Sequence, residues 1–193
     1  VMVALGEPEA AYHRIVREIA AVDLGSGVYL TRLHHALASV PFLGGPMTEL
    51  ERIGLRYIQV AEESAMPGSL AWARFAVGWA RFQQGEIQAA FDTLRPIFER
   101  PQQIHLQTAI VALPALLAAA EGEERLADVA GLVEQLRADA LHRENFAAAD
   151  QFAAYAAYAA LLQGDRATAR GWAIGLAQTY LSQAPNSAHE PLL

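Results

Sequence analysis

Apolar residues along this chain return every three or four positions and nowhere alternate strictly with polar ones, so the pattern predicts helices and no half-buried strand. Nine helices are predicted, over 8–21, 28–40, 48–65, 69–84, 86–99, 101–121, 123–141, 145–163 and 166–180. Pro8 suits a first helical turn, where its missing N–H costs nothing. Pro41 is expected to stop the second helix, Thr48 to cap or open the third, and Ser69 to cap the fourth. Asn145 should start the eighth. Residues 23–27 read as a loop, Gly44-Gly45-Pro46 as a turn, and the tail from Ser182, with Pro185 and Pro191, has no period. Pro96 and Pro114 each fall inside a predicted helix and should disturb it, because each removes a backbone bond.

A second, longer period overlies the first. Glycine returns at Gly6, Gly45, Gly85, Gly122 and Gly164, at intervals of 39, 40, 37 and 42 residues, each time between two apolar helical runs. A repeat of this length marks a solenoid of helix pairs. Short turns make paired helices antiparallel neighbours.

Read outwards from each glycine, the repeat resembles the tetratricopeptide motif. Seven residues before Gly85 lies Gly78, and five after it lies Ala90, where two helix backbones should approach closely. The equivalents are Ala115 and Ala127 around Gly122, and Ala157 and Ala169 around Gly164. The segments 69–85 (SLAWARFAVGWARFQQG) and 161–173 (LLQGDRATARGWA) further resemble the helical-repeat region of MalT-like regulators, the LuxR-type ATPases of the STAND class. Gly171 separates Arg170 from Trp172, where that family is expected to have them adjacent. The resemblance implies a cytoplasmic array that senses a small effector or a partner protein and is capable of self-association. The ATPase and the DNA-binding helix-turn-helix of such regulators would lie outside this sequence.

Composition narrows the classes. Alanine makes up roughly a fifth of the chain and is the best helix former. Charged residues are 18%, the net charge is −7, and all fourteen basic residues are scattered arginines, so no basic footprint for nucleic acid exists. No apolar run is long enough to span a bilayer, and no secretory leader is recognisable. Without cysteine there are no disulfides or thiolate metal sites, which fits a reducing compartment. Without lysine there is no phosphate-binding P-loop. The chain opens at Val1 in what reads as the end of a repeat and closes at Leu193 where another helix could begin. The expectation is therefore one array over 1–193, cut from a longer protein.

No catalytic, cofactor or metal site is expected. His34 and His35 are adjacent, about 100° apart on a helix, and do not converge on one ion. Glu123 and Glu124 are explained by the macrodipole of the helix they open. The binding face is expected along the first helix of each pair. It comprises Arg32, His35 and Ser39, then Trp72, Phe75, Trp79 and Phe82, then Ala109, Ala112 and Leu116, then Gln151, Ala154 and Tyr158. The four aromatics step by three, four and three, one helical stripe, and aromatic walls suit rings, apolar effectors or peptide side chains. The same helix carries Ala73, Ala76, Val77 and Ala80, which offer an alternative buried face. The fold expected is all-α, a tetratricopeptide-like right-handed superhelix. Its partner is a small effector or a protein, with a generic peptide-binding scaffold as the rival reading.

Overall fold

The computed structural model describes residues 7–21, 27–42, 45–99 and 106–183. Among them are nine α-helices and no strand. They are α1 (Pro8–Ala21), α2 (Gly27–Phe42), α3 (Met47–Glu63), α4 (Pro67–Gln83), α5 (Ile87–Leu94), α6 (Leu106–Ala119), α7 (Glu123–His142), α8 (Phe146–Leu162) and α9 (Arg166–Gln183). A short 3-10 helix, Arg95–Phe98, follows α5. The chain divides into two compact units, Val1–Glu121 and Gly122–Leu193. Within the first, successive helices pack on one another, and α4 also touches α2 and α6. That places α2, α4 and α6 side by side in one layer, with α3 and α5 in the other. Within the second, α7 packs on α8 and α8 on α9.

The corners explain the repeat. After α4, the amide of Glu86 donates to the carbonyl of Arg81 and that of Gly85 to Phe82, with Gly85 at φ +80°. After α8, Asp165 and Gly164 make the same two bonds to Ala160 and Leu161, with Gly164 at φ +79°. This is the Schellman closure, which needs a left-handed residue and therefore favours glycine. The same closure ends α3 and α7, with Ala65 (φ 50°) and Glu144 (φ 57°) in the left-handed position. Sequence reasoning found the two glycine corners and missed these two, because alanine and glutamate carry no turn signature.

Gly122 differs from Gly85 in register. It is itself the N-cap of α7, whereas Gly85 precedes the N-cap Glu86. Counting five residues from Gly122 therefore lands one too far. Ala127 is exposed, and Leu126 takes the buried place that Ala90 and Ala169 hold in α5 and α9. Of the other small-residue positions, Gly78, Ala115, Ala90 and Ala169 are buried and Ala157 is half-buried. At Gly78 an added Cβ would lie 2.5 Å from Cγ of Leu94, so the α4–α5 approach requires glycine.

Several boundaries shift from expectation. The helix α2 runs through Pro41 to Phe42, since a proline within the last turn removes only one late bond. Neither Thr48 nor Ser69 caps a helix. α3 starts after Pro46 and α4 starts at Pro67, whose fixed φ opens the first turn without a side-chain cap. Asn145 does cap α8, accepting from the Ala148 amide at 3.2 Å. α5 is cut short where Pro96 enters a 3-10 turn. α6 accommodates Pro114 internally. The expectations for Gly6, for the loop over 23–26, for Gly44, for the helix start at Pro101 and for the tail beyond Gln183 lie outside the described residues, while Gly27, expected as the loop's last residue, opens α2.

Candidate functional site

The α4 stripe is a packing seam with an open edge. Phe75 is 3% exposed, while Trp72, Trp79 and Phe82 are half-buried. The rings form a continuous series. Trp72 meets Phe75 at 5.6 Å between centroids, Phe75 meets Trp79 at 6.4 Å, and Trp79 meets Phe82 at 6.1 Å. The α2 residue His35 extends it, edge-on to Trp72 at 5.1 Å. Trp79 rests on the cluster of Ala38, Leu50, Ile53, Ala76 and Ala80, and Trp72 on that of Tyr57, Ala61 and Ala73. Each indole thus rests on core while staying half-buried. The alternative buried face is also real, since Ala73, Ala76, Val77 and Ala80 are all buried. Aromatic contacts of this kind contribute about 0.5–1.5 kcal/mol each beyond the area they bury.

The histidines serve this seam. His34 is buried and stacks on Tyr57 at 6.2 Å, and His35 meets the same ring edge-on at 6.2 Å. Burial lowers the pKa of His35, favouring its neutral form, and raises that of the Tyr57 phenol. Arg32 is exposed one helical turn before His35. Among the described residues no three His, Asp or Glu side chains converge as metal ligands.

Polar clamps hold the seam's supports. Arg52 grips Glu49 through two bonds of 2.8 and 2.6 Å, and the Tyr12 hydroxyl donates to the same carboxylate at 2.6 Å, tying α1 to α3. These contacts, Arg52 foremost, hold the Glu49 carboxyl at about 2. Beside the Phe82 end of the stripe, Arg81 donates to Glu51 at 2.8 Å and to the Thr93 hydroxyl at 2.8 Å, and Gln84 donates to Glu51 at 3.0 Å. This network joins α3, α4 and α5 and, chiefly through Arg81, holds Glu51 below the ordinary carboxylate range.

The other expected groove positions fare differently. Ala109, Ala112 and Leu116 of α6 are buried core, not groove. α6 carries no charged residue, and eight of its residues are buried, while Leu106 and Gln107 at its start are exposed. In the second unit, Gln151 and Ala154 are exposed on α8 and Tyr158 is half-buried on the same helix. There Arg137 of α7 lies over the Trp172 ring of α9, 4.6 Å from its centroid. The side chain of Ser39 lies outside the described set.

A cleft of about 500 Å³, not anticipated from the sequence, opens at the α3–α4 corner beside the 3-10 turn. Ala61, Met66, Leu70, Ala71 and Ile97 form its apolar lining, and Glu62, Arg74 and Glu99 its charged edge. No motif marks it, because its walls come from three separate segments.

No protein-family model matches the sequence, and no curated protein matches it significantly. Among solved structures, the chain is similar to the nearly identical TPR-like repeats of a kinesin light chain-like protein from Podosopora anserina. The identity is 15%, the TM-score 0.73, and the match covers 95% of this chain and 92% of that one. The fold is a tetratricopeptide-like helical repeat. At that identity the likeness speaks for the fold alone. Among the described residues no helix is long and apolar enough to cross a membrane.

Proposed function

We propose that this chain is a non-catalytic interaction module whose working surface is the open edge of the seam formed by His35, Trp72, Phe75, Trp79 and Phe82. The observation that carries the proposal is the unbroken ring series with one buried rung, Phe75, and half-exposed rungs on either side. Rigid aromatic surface already fixed by core contacts loses little entropy on binding, which is what an anchor for apolar side chains requires. The occupant proposed is an apolar helix or peptide of a partner protein, with Arg32 supplying a polar contact at the α2 end. A small ring-bearing effector on the same edge is the second reading, favoured by the stacked geometry of the indoles.

Within this proposal the chain serves as the sensor or interaction array of a cytoplasmic MalT-like regulator. The support is the resemblance of 69–85 and 161–173 together with the repeat fold. Binding would act through unequal affinity for two arrangements of the array. Selection from a random peptide display library on the intact chain tests the surface. Enriched peptides should carry apolar anchors at helical spacing and should lose binding on Trp72→Ala or Phe82→Ala. Peptides indifferent to both substitutions would remove the seam as the working surface. A gene encoding a catalytic domain and no helix-turn-helix would remove the regulator.

A further inference from the structure

The cleft at the α3–α4 corner arises from an irregularity in the repeat. α3 runs 17 residues, whereas α5 runs 8 before yielding to the 3-10 turn. Pro96 has no amide hydrogen with which to continue an α pattern. The chain therefore turns early, bringing Pro96, Ile97 and Glu99 to the corner that Ala65 closes. Alanine at 61, 65 and 71 leaves space where larger side chains would fill it. The resulting volume, about 500 Å³, falls in the range of small-molecule sites. Of its lining, Ala61, Ala71 and Ile97 are buried, and the Met66 sulfur lies 3.2 Å from the Thr31 hydroxyl, whose proton also has the Val28 carbonyl within reach at 2.9 Å.

The charged edge has an unusual make-up for so small a site, one guanidinium and two carboxylates beside an apolar floor. Arg74 Nη2 stands 3.9 Å from Glu62 Oε1, too far for a hydrogen bond, and the two side chains are 30% and 54% exposed. The pair is close enough for an ion pair, and the solvent exposure of both side chains leaves their remaining polar atoms to water, which a ligand can displace. A lone anion would be attracted by Arg74 and repelled by two carboxylates. A lone cation would meet the reverse conflict at Arg74. A zwitterion answers both. We propose that this cleft binds a small zwitterion bearing an apolar side chain, an apolar α-amino acid or its dipeptide. Its carboxylate would take the Arg74 fork, its ammonium would sit with Glu62 and Glu99, and its side chain would cover the Ala61–Ala71–Ile97 floor. The proposal is independent of the aromatic seam.

Isothermal titration of the full chain with L-leucine, Leu-Leu, leucinamide and isocaproate tests it. Leucine or Leu-Leu should bind saturably, and whichever binds tighter identifies the source. Leucinamide, lacking the carboxylate, and isocaproate, lacking the ammonium, should each bind about tenfold more weakly or worse, the expected loss of one charge-assisted hydrogen bond. Arg74→Gln should bring leucine down to the level of leucinamide, and Glu99→Gln should bring it towards that of isocaproate. Arg74→Lys, which keeps the charge and loses the fork, should fall between. Arg143→Gln, an exposed change in the second unit, should alter nothing. Absence of any binding by leucine and Leu-Leu tighter than about 10 mM overturns the proposal. So does equal affinity for leucine, leucinamide and isocaproate, or indifference of leucine binding to Arg74→Gln in a chain whose circular dichroism is unchanged.

Discussion

Substituting Gly78 by alanine sets two effects of known sign against each other. In a helix interior, alanine is favoured over glycine by about 1 kcal/mol. The new Cβ, however, would sit 2.5 Å from Cγ and 2.6 Å from Cδ2 of Leu94, where favourable carbon contacts lie near 3.5–4.0 Å. Leu94 cannot swing into water, because it is 0% exposed. Either its rotamer is forced or α4 and α5 separate, and overpacking of this kind costs about 1–3 kcal/mol. The net expectation for Gly78→Ala is a loss of about 0–2 kcal/mol. Leu94→Ala alone should cost about 2–5 kcal/mol by opening a cavity. In that background the clash partner is gone. Gly78→Ala then keeps its helix gain and fills part of the cavity with a methyl group, and should stabilise by about 1–2 kcal/mol. The same substitution thus changes sign with its neighbour, a coupling of roughly 1–4 kcal/mol. Urea titration of the four proteins of this cycle, followed by circular dichroism and tryptophan fluorescence, measures it. Gly78→Ala stabilising the parent chain by about 1 kcal/mol, with coupling below about 0.5 kcal/mol, would refute the claim that glycine is required by the α4–α5 approach.

Three further outcomes follow from the same geometry. At the corners, Glu144→Gly should stabilise by up to about 1 kcal/mol, read as a higher urea midpoint, because it relieves a left-handed side chain, whereas Gly85→Ala, with nothing within 4 Å of its Cβ, should cost about 1–2 kcal/mol from backbone strain alone. Phe75→Ala should cost about 3–5 kcal/mol as a core truncation, while Phe82→Ala, half-exposed at the end of the stripe, should cost clearly less in the same titration; equal costs would mean the stripe is uniformly core. Glu49 has a folded pKa of about 2 against an ordinary 4.5, so its share of stability is full above pH 4.5 and disappears as pH falls through 2. Being largely solvent-screened, that share is at most about 1 kcal/mol. His35 is also depressed, by burial, so its contribution is full above 6.5 and starts to decline on acidification below that. His35→Phe should therefore flatten the stability profile just below neutrality, and Glu49→Gln should flatten it only below pH 4.5.

What the sequence revealed, and what it hid, divides along one physical line. Features set by a residue's own backbone or its own helix were legible. The glycine corners at 85 and 164 follow from a left-handed φ, the Asn145 cap from a side chain three residues from its amide, and the aromatic stripe from helical spacing. Features set by what lies opposite were not. Ala65 and Glu144 make the same six-residue closure as the glycines, held there by the helices they join rather than by any preference of their own. Whether Trp72 is core or surface depends on His35 and Tyr57 across α2 and α3, which no periodicity within α4 encodes. The buried state of Ala112 and Leu116 likewise depends on the packing of α6 against α4 and α5. The cleft is the extreme case. It exists because α5 stops short at Pro96, because three alanines from two helices and a corner coincide there, and because Arg74 and Glu62, twelve positions apart, face each other across the α3–α4 turn. Pro96 was visible as a helix disturbance, yet the space its early turn leaves is visible only in three dimensions. In a repeat protein the regular positions specify the scaffold, and the places where one repeat departs from its neighbours are where a hollow with its own chemistry can form.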